Sequence, residues 1–383
     1  MNDTLGLARV LFDDMTAHVR DAPTFPLLLD QAVVRMEFSR ALGEEHDARR
    51  ALGSALELLR EGGATGPWLY RGAAQLGWTA LRVARAEGTE PVGLSVVDDV
   101  VLRWIAAYPA EAEVDLPMGL LGLGVYALSH PDRGFRDKAT SGVLDVIEER
   151  AERDDEGLFL RLGDSAARRA DGSARCRVLG AAHGTAGLVS YLASATSVPA
   201  CAPRARALLH DAARWSRARR GRHAHAIFPH RVETADRPAR ATWCSGDPGI
   251  GVALSAAASV TGDPRDAELA RTVFRSVTTR PEEDCGITDA CLCHGAAGLI
   301  WFGRRAVDEG VATGAASTRR WIDWTRRRRI EGPLTYFGPT GMTRDASFLE
   351  GDAGVALALL YAATGGRPSW EHLLLAAPVT SET

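Results

Sequence analysis

At 383 residues, 46% hydrophobic and with a net charge of -4, the chain can build a substantial core, and nothing in its charge calls for nucleic acid or an acidic membrane. Six cysteines without a secretory start point to the reducing cytoplasm, where metal binding or catalysis is expected before disulfides. Lys138 is the one lysine, so arginine carries nearly all the positive charge, which reflects a GC-rich codon bias.

The first fifteen residues place acids where a signal peptide carries bases. Strand signals are sparse and Ala/Leu/Arg stretches dominate, so the expected fold class is all-α. Residues 40–61 space their apolar side chains by three and four, which predicts one amphipathic helix, and 202–219 and 264–277 follow the same pattern. The longest apolar runs, such as 354–364, are far too short to span a bilayer.

A glycine phrase recurs along the chain. It reads LYRGAAQLGWTAL around Gly72, VDLPMGLLGLGVYAL around Gly119, LGAAHGTAGLVSYL around Gly184, TWCSGDPGIGVAL around Gly246, LCHGAAGLIWF around Gly295 and FLEGDAGVALALL around Gly351. These glycines lie roughly 45 to 65 residues apart, room for one helical hairpin in each unit. In every phrase small residues precede an apolar helical run, where glycine supplies dihedral freedom and a close helix start. Six such hairpins favour a closed α/α toroid of inner and outer helices, a single domain over 1–383. Irregular insertions are expected near 130–173 and 223–238, the second as a short hairpin.

In such a ring, side chains planted in the glycine turns converge at one end. Those turns carry Asp115, His183, Cys244, Cys293 and His294. Zinc prefers thiolate and imidazole, and a catalytic zinc keeps three protein ligands and one open position. Cys244, Cys293 and His294 offer two sulfurs and one nitrogen. Cys291 and Cys285 compete for the same role, although Cys291 stands outside the repeated phrase and reads as structural. Cys176 and Cys201 have no partner pattern, and free cysteine is often simply core. The basic run 326–329 reads as a solvated helical face before it reads as a docking site for an acidic leader peptide.

The phrases AHGTAG, WCSGDPG, LCHGAAG and LEGDAG resemble those of the lanthionine cyclase family, the LanC-like proteins, from about Leu69 to Leu360. The resemblance implies an α/α toroid with one Zn2+ held by the Cys of the W-C-x-G phrase and the Cys-His of the C-H-G phrase, here Cys244, Cys293 and His294. It implies addition of a peptide cysteine thiol to dehydroalanine or dehydrobutyrine, on a dehydrated precursor peptide, with a dehydratase and an exporter as further partners. His183 then suits general acid-base work, since imidazole titrates near neutrality. Asp115 would orient His183, although an aspartate before Pro117 also suits a helix cap. Arg240 would stabilise the enolate oxygen or hold Asp115.

Three residues depart from the family pattern: Ser245 and Val114 replace common tyrosines, and Gln75 stands where a small residue is usual. Two other readings fit the same residues: glutathione addition to dehydroamino acids, and a peptide-binding scaffold with structural zinc. A glycosidase would need a paired carboxylate, and the repeat turns offer only the scattered Asp115, Asp247, Glu350 and Asp352. A prenyl-transfer subunit would share the zinc-thiolate logic but matches the glycine phrases less well.

Overall fold

A computed structural model describes residues 2–62, 65–91, 93–161, 176–221, 223–338 and 340–379. In chain order its helices are α1 (Asn2–Asp21), α2 (Phe25–Leu42), α3 (Ala48–Arg60), α4 (Ala73–Glu87), α5 (Leu94–Ala106), α6 (Leu120–Ser129) and α7 (Arg133–Arg150). The hairpin β1 (Glu152–Asp154) and β2 (Gly157–Phe159) follows, then α8 (Thr185–Ala195), α9 (Ala202–Ala218), α10 (Asp247–Thr261) and α11 (Pro264–Thr279). Last come α12 (Ala296–Asp308), α13 (Gly314–Glu331), the hairpin β3 (Tyr336–Gly338) and β4 (Gly341–Thr343), and α14 (Asp352–Thr364). None of these helices is long and apolar enough to cross a membrane.

The chain divides into two compact units. The first comprises Met1–Thr65, Thr79–Val92 and Val277–Ser369; the second comprises Gly66–Trp78, Gly93–Ser276 and Trp370–Thr383. In the first, α1 packs on α14, α2 on α3, α12 on α13, and α14 on both α12 and α2. In the second, α8 packs between α9 and α10, and α6 lies against α7 and α8.

Buried and amphipathic helices alternate. Every residue of α6 and α8 is buried, whereas their successors α7 and α9 bury one face each. The same alternation pairs α10 with α11 and α12 with α13. An all-apolar helix must be covered on every side, while its amphipathic neighbour covers it and meets water.

The helix expected over 40–61 is two. Gly43 ends α2 in the left-handed region at φ 66°, and the Asp47 carboxylate caps α3 by accepting the Arg50 N–H at 2.8 Å. A three-four periodicity survives such a break because both helices present apolar faces to the same core. The helices expected over 202–219 and 264–277 are α9 and α11. The irregularity expected over 130–173 holds only in part: 133–150 is the regular helix α7, 152–159 is a hairpin, and 162–173 lies outside the described residues. The 223–238 insertion does fold back on itself, with bridges between Pro229 and Pro238 and between Val178 and Arg231.

Glycine recurs in the repeated phrase for space and not for dihedral freedom. Gly119, Gly184, Gly246, Gly295 and Gly351 all cap the following helix in ordinary extended conformation, with φ between -139° and -117°. A Cβ on Gly119, Gly184 or Gly246 would press on the carbonyl oxygen six residues back, that of Glu113, Val178 or Arg240. The second glycine of each G-x-x-G does the same, as Gly187 sits on Ala181 and Gly354 on Phe348. The chain therefore coils back under its own helix start. The amide after the phrase's glycine bonds the carbonyl seven residues earlier in five phrases: Ala73 to Gly66, Leu120 to Glu113, Thr185 to Val178, Ala296 to Asp289 and Asp352 to Asp345. In the first phrase Gln75 takes the second glycine's place, and its side chain accepts the Arg71 N–H at 2.7 Å.

Gly246→Ala is expected to cost about 3 kcal/mol or more of stability, because the added methyl meets rigid backbone at Arg240 and Thr242. Urea unfolding measures this, and a loss below about 1 kcal/mol would contradict the steric account.

The basic run on α13 is partly consumed inside the first unit. Arg326 pairs with Asp323 and with Asp3 of α1, Arg329 with Asp14 of α1, and Arg328 stacks on Trp324 at 3.9 Å. Such pairs tie α13 to α1, while Arg327 and Arg328 stay exposed.

Candidate active site

Three glycine turns of the second unit stand side by side. The Leu116 N–H donates to the Ala182 carbonyl at 3.0 Å, and the Ala182 N–H donates to the Cys244 carbonyl at 3.1 Å. Backbone bonding of this kind sets the side chains of Asp115, His183 and Cys244 in a row regardless of their identity. Gly180 permits it, since a Cβ there would strike the Cys244 carbonyl.

Within the row, His183 Nδ1 lies 2.6 Å from Asp115 Oδ2. The Asp115 side chain is buried, at 3% exposure, whereas His183 keeps 31% of its side chain open to solvent. Asp115 also accepts the Met118 N–H at 3.0 Å on its other oxygen. The carboxylate thus lies against the imidazole and closes its own turn, but it is not the helix cap suggested by the sequence, since Gly119 caps α6 without a side-chain hydrogen bond. A carboxylate on Nδ1 places the proton there and leaves Nε2 for exchange. Arg240 is half-buried at the head of the Cys244 turn.

Cys244 is half-buried, its Sγ 3.8 Å from the Thr242 hydroxyl and 3.7 Å from the Ser245 hydroxyl. Ser245, the departure from the family tyrosine, therefore leaves a small donor beside the sulfur. The 223–238 insertion adds His230, close enough to Cys244 and Arg240 to feel both charges. Burial and then Arg231 hold this imidazole below its usual range, and Cys244 acts against them. Nothing in its sequence neighbourhood marked His230, because the insertion belongs to no repeated phrase.

In the first unit, the turn before α12 carries Cys293 and His294. The Cys293 N–H donates to the Leu349 carbonyl at 2.9 Å, which joins this turn to the one before α14. His294 keeps 20% of its side chain exposed, with Nε2 at 3.7 Å from the fully buried Asp289 carboxylate. Its N–H lies 3.4 Å from Cys291 Sγ. Asp289, Cys291 and His294 also present donor atoms within 4.8 Å of one another, so Cys291 stands as a competing ligand.

The remaining cysteines are poor ligands. All six are free thiols. Burial pushes the Cys285 thiol up to about 11 and raises that of Cys201, so both stay protonated at neutral pH. Cys176 packs against Val178 in a small apolar cluster.

The carboxylates of the G-D pairs hold insertions in place. Asp247 accepts the Ile227 and Phe228 N–H groups, each at 3.0 Å, and so anchors the 223–238 loop. Asp352 accepts the Tyr336 hydroxyl at 2.5 Å, and Asp289 accepts the Phe337 N–H at 3.1 Å, which together anchor the β3–β4 hairpin. These acids are spent on loops, not paired across a cleft as a glycosidase requires.

Burial pushes Asp352 up to about 6, with Tyr336 and Arg344 working against the shift. A carboxyl raised above its unfolded value binds more protons when native, so it makes stability fall as pH rises from about 4 to about 6. The effect is on the order of 3 kcal/mol. Asp352→Asn is expected to remove this slope in urea unfolding series across that window. A slope unchanged by the substitution would assign it to other groups.

A model of the lanthionine synthetase C-like proteins matches residues 34–375. Among solved structures, nisin cyclase aligns over 97% of this chain and 98% of its own, with a TM-score of 0.72 and 17% sequence identity. At that identity the likeness is one of fold, and it places the chain in the all-α, α/α-toroid class expected from its repeats. Comparison with curated protein sequences gives no match. With its glycine turns and nearly its whole length matched by the family model, the chain belongs to the lanthionine synthetase C-like family.

Proposed function

We propose that this protein is a zinc-dependent lanthipeptide cyclase, which adds cysteine thiols of a dehydrated precursor peptide to dehydroalanine or dehydrobutyrine. The observation that carries the reading is the His183–Asp115 contact of 2.6 Å, set one backbone hydrogen bond from the turn of Cys244. An acid-base pair held beside an accessible cysteine is what proton handling during thiol addition requires.

Cys244, Cys293 and His294 are the proposed zinc ligands. Their chemistry fits the ion: one half-buried sulfur, one buried sulfur, and one imidazole whose other nitrogen faces a buried carboxylate. Asp289 would fix the orientation of His294, leaving Nδ1 for the metal. When bound, zinc supplies acidity to an incoming thiol, which otherwise is only a few per cent thiolate at pH 7.

The chain's own residues handle the rest. Attack of the sulfur on the β-carbon forms the C–S bond and moves the alkene pair toward the neighbouring carbonyl as an enolate. His183, kept in one tautomer by Asp115, accepts the thiol proton at Nε2 and returns it to the α-carbon. Arg240 offers a positive charge for the enolate oxygen. The reaction needs no oxidant or reductant, since one S–H and one C=C become one C–S and one C–H. A reducing cytoplasm suits such free thiols.

The experiment is direct. A dehydrated cysteine-containing peptide is incubated with the protein, and mass spectrometry after thiol alkylation counts the free thiols remaining. Loss of alkylatable thiol with the protein, and not with chelator-treated protein, is the expected result. Unchanged thiol counts across peptides of several ring sizes would sink the reading.

A further inference from the structure

In the first unit, α1, α2 and α3 line a half-open cavity of about 510 Å³, well away in sequence from every residue assigned above. Its volume lies in the range of small-ligand sites. Val19, Leu28 and Leu58 give it apolar walls, while Thr16, Gln31 and Arg35 bring polar groups to the same space.

Two of these polar groups carry an atom that the protein leaves unsatisfied. Gln31 is 7% exposed. Thr16 Oγ1 and Arg35 Nε are buried and have no hydrogen-bond partner among the described residues. The Arg35 guanidinium rests 5.8 Å from the Phe12 ring. Burial lowers its affinity for the proton; Asp47 opposes this and Arg50 adds to it. The Asp47 carboxylate, though, is occupied in capping α3 through the Arg50 N–H. A buried Nε–H without a partner is costly, and at Arg35 it borders a cavity with room for a group that would accept it.

The lining also selects the ligand. Arg20, Arg35 and Arg50 face Asp47, Glu57 and Glu61, so the charges of the lining cancel. That balance disfavours a multiply charged phosphate. A single negative charge on an apolar body fits best: the charge on Arg35, the body on the Val19, Leu28 and Leu58 walls. A carboxylate accepts the guanidinium fork in bidentate fashion, and the Thr16 hydroxyl and Gln31 amide are further donors.

We propose that the cavity between α1, α2 and α3 binds a carboxylate borne on an apolar body, with Arg35 as its principal partner. The carboxylate could come from a free acid or from an acidic side chain of a peptide, and the test separates the two. The site uses none of the residues assigned to zinc or to proton transfer, so it stands or falls independently of the cyclase reading.

The full chain is titrated calorimetrically with 4-methylpentanoate, its neutral amide, inorganic phosphate, and the peptide acetyl-Leu-Glu-Leu-amide. Saturable binding of the acid or the peptide, at least tenfold tighter than the amide, is the expected result; which of the two binds identifies the source. Arg35→Met is expected to abolish that binding while lowering the melting temperature only slightly, because the Nε–H has no hydrogen-bond partner and the loss is confined to the Phe12 ring contact and the attraction to Asp47. Should Arg35→Met fail to fold, Arg35→Lys keeps the charge without the fork and is expected to weaken binding about tenfold. Equal binding of acid and amide, preference for phosphate, binding unaffected at Arg35, or no binding of either carboxylate each overturns the proposal.

Discussion

Replacing Cys244 with alanine is expected to remove the bound zinc and lower cyclisation by about a thousandfold or more, with the fold retained. The backbone at this position is held independently of the side chain, because it is the Cys244 carbonyl that accepts the Ala182 N–H. Loss of one thiolate from the proposed three-ligand site would leave a site too poor to compete for zinc. Metal content by mass spectrometry, far-UV circular dichroism and thiol counting together read the outcome. The comparison that decides is Cys291→Ala. Cys291 belongs to the rival donor set with Asp289 and His294, yet its sulfur is fully buried beside the His294 N–H. If Cys291→Ala loses zinc while Cys244→Ala keeps it, the ligand assignment is wrong.

The second large effect belongs to the His183–Asp115 pair. Asp115→Asn is expected to cut the rate by about 10² to 10⁴ while zinc stays bound. The substitution preserves shape and removes the charge that selects the Nδ1–H tautomer and stabilises the imidazolium. His183→Ala should cost a similar factor, and the double variant little more than either alone, since the two residues act as a unit. Additive losses would mean that Asp115 acts chiefly by capping its own turn through Met118. Normal rates in both single variants would remove the pair from the mechanism.

Much of the architecture was legible because helices announce themselves locally. Apolar residues at three- and four-residue spacing marked α9 and α11 to within two residues at each end. Each glycine phrase marked the start of a buried helix: α4, α6, α8, α10, α12 and α14. The break inside 40–61 escaped notice because Gly43 can sit within a helix or end one, and only packing chooses. Acidic and arginine-rich residues over 130–150 suggested irregular chain; α7 is a helix because Phe135, Ala139, Val143 and Ile147 supply a buried face among those charges.

At the candidate site, residue types and repeat positions were enough to nominate Asp115, His183, Cys244, Cys293 and His294. The supporting carboxylates were not. Asp247 and Asp352 occupy the same slot in two phrases and read as isolated acids, yet each secures a separate insertion. Asp289 reads as one more acidic residue, and its burial against His294 depends on the fold of the turn and on the hairpin that reaches Phe337 to it.

By itself the sequence determined the helical class, the repeat, and the kinds of donor placed in each turn, because periodicity and motif spacing are properties of neighbouring residues. Tertiary structure alone decided what the glycines are for. Their φ values suit any residue, and only the carbonyl lying beneath each of them, brought there when the chain coils back under its helix, forbids a side chain. It likewise decided that one turn's amide would meet the next turn's carbonyl, which is what sets an aspartate 68 residues away against His183. Contacts of that reach come from packing, which no local pattern encodes.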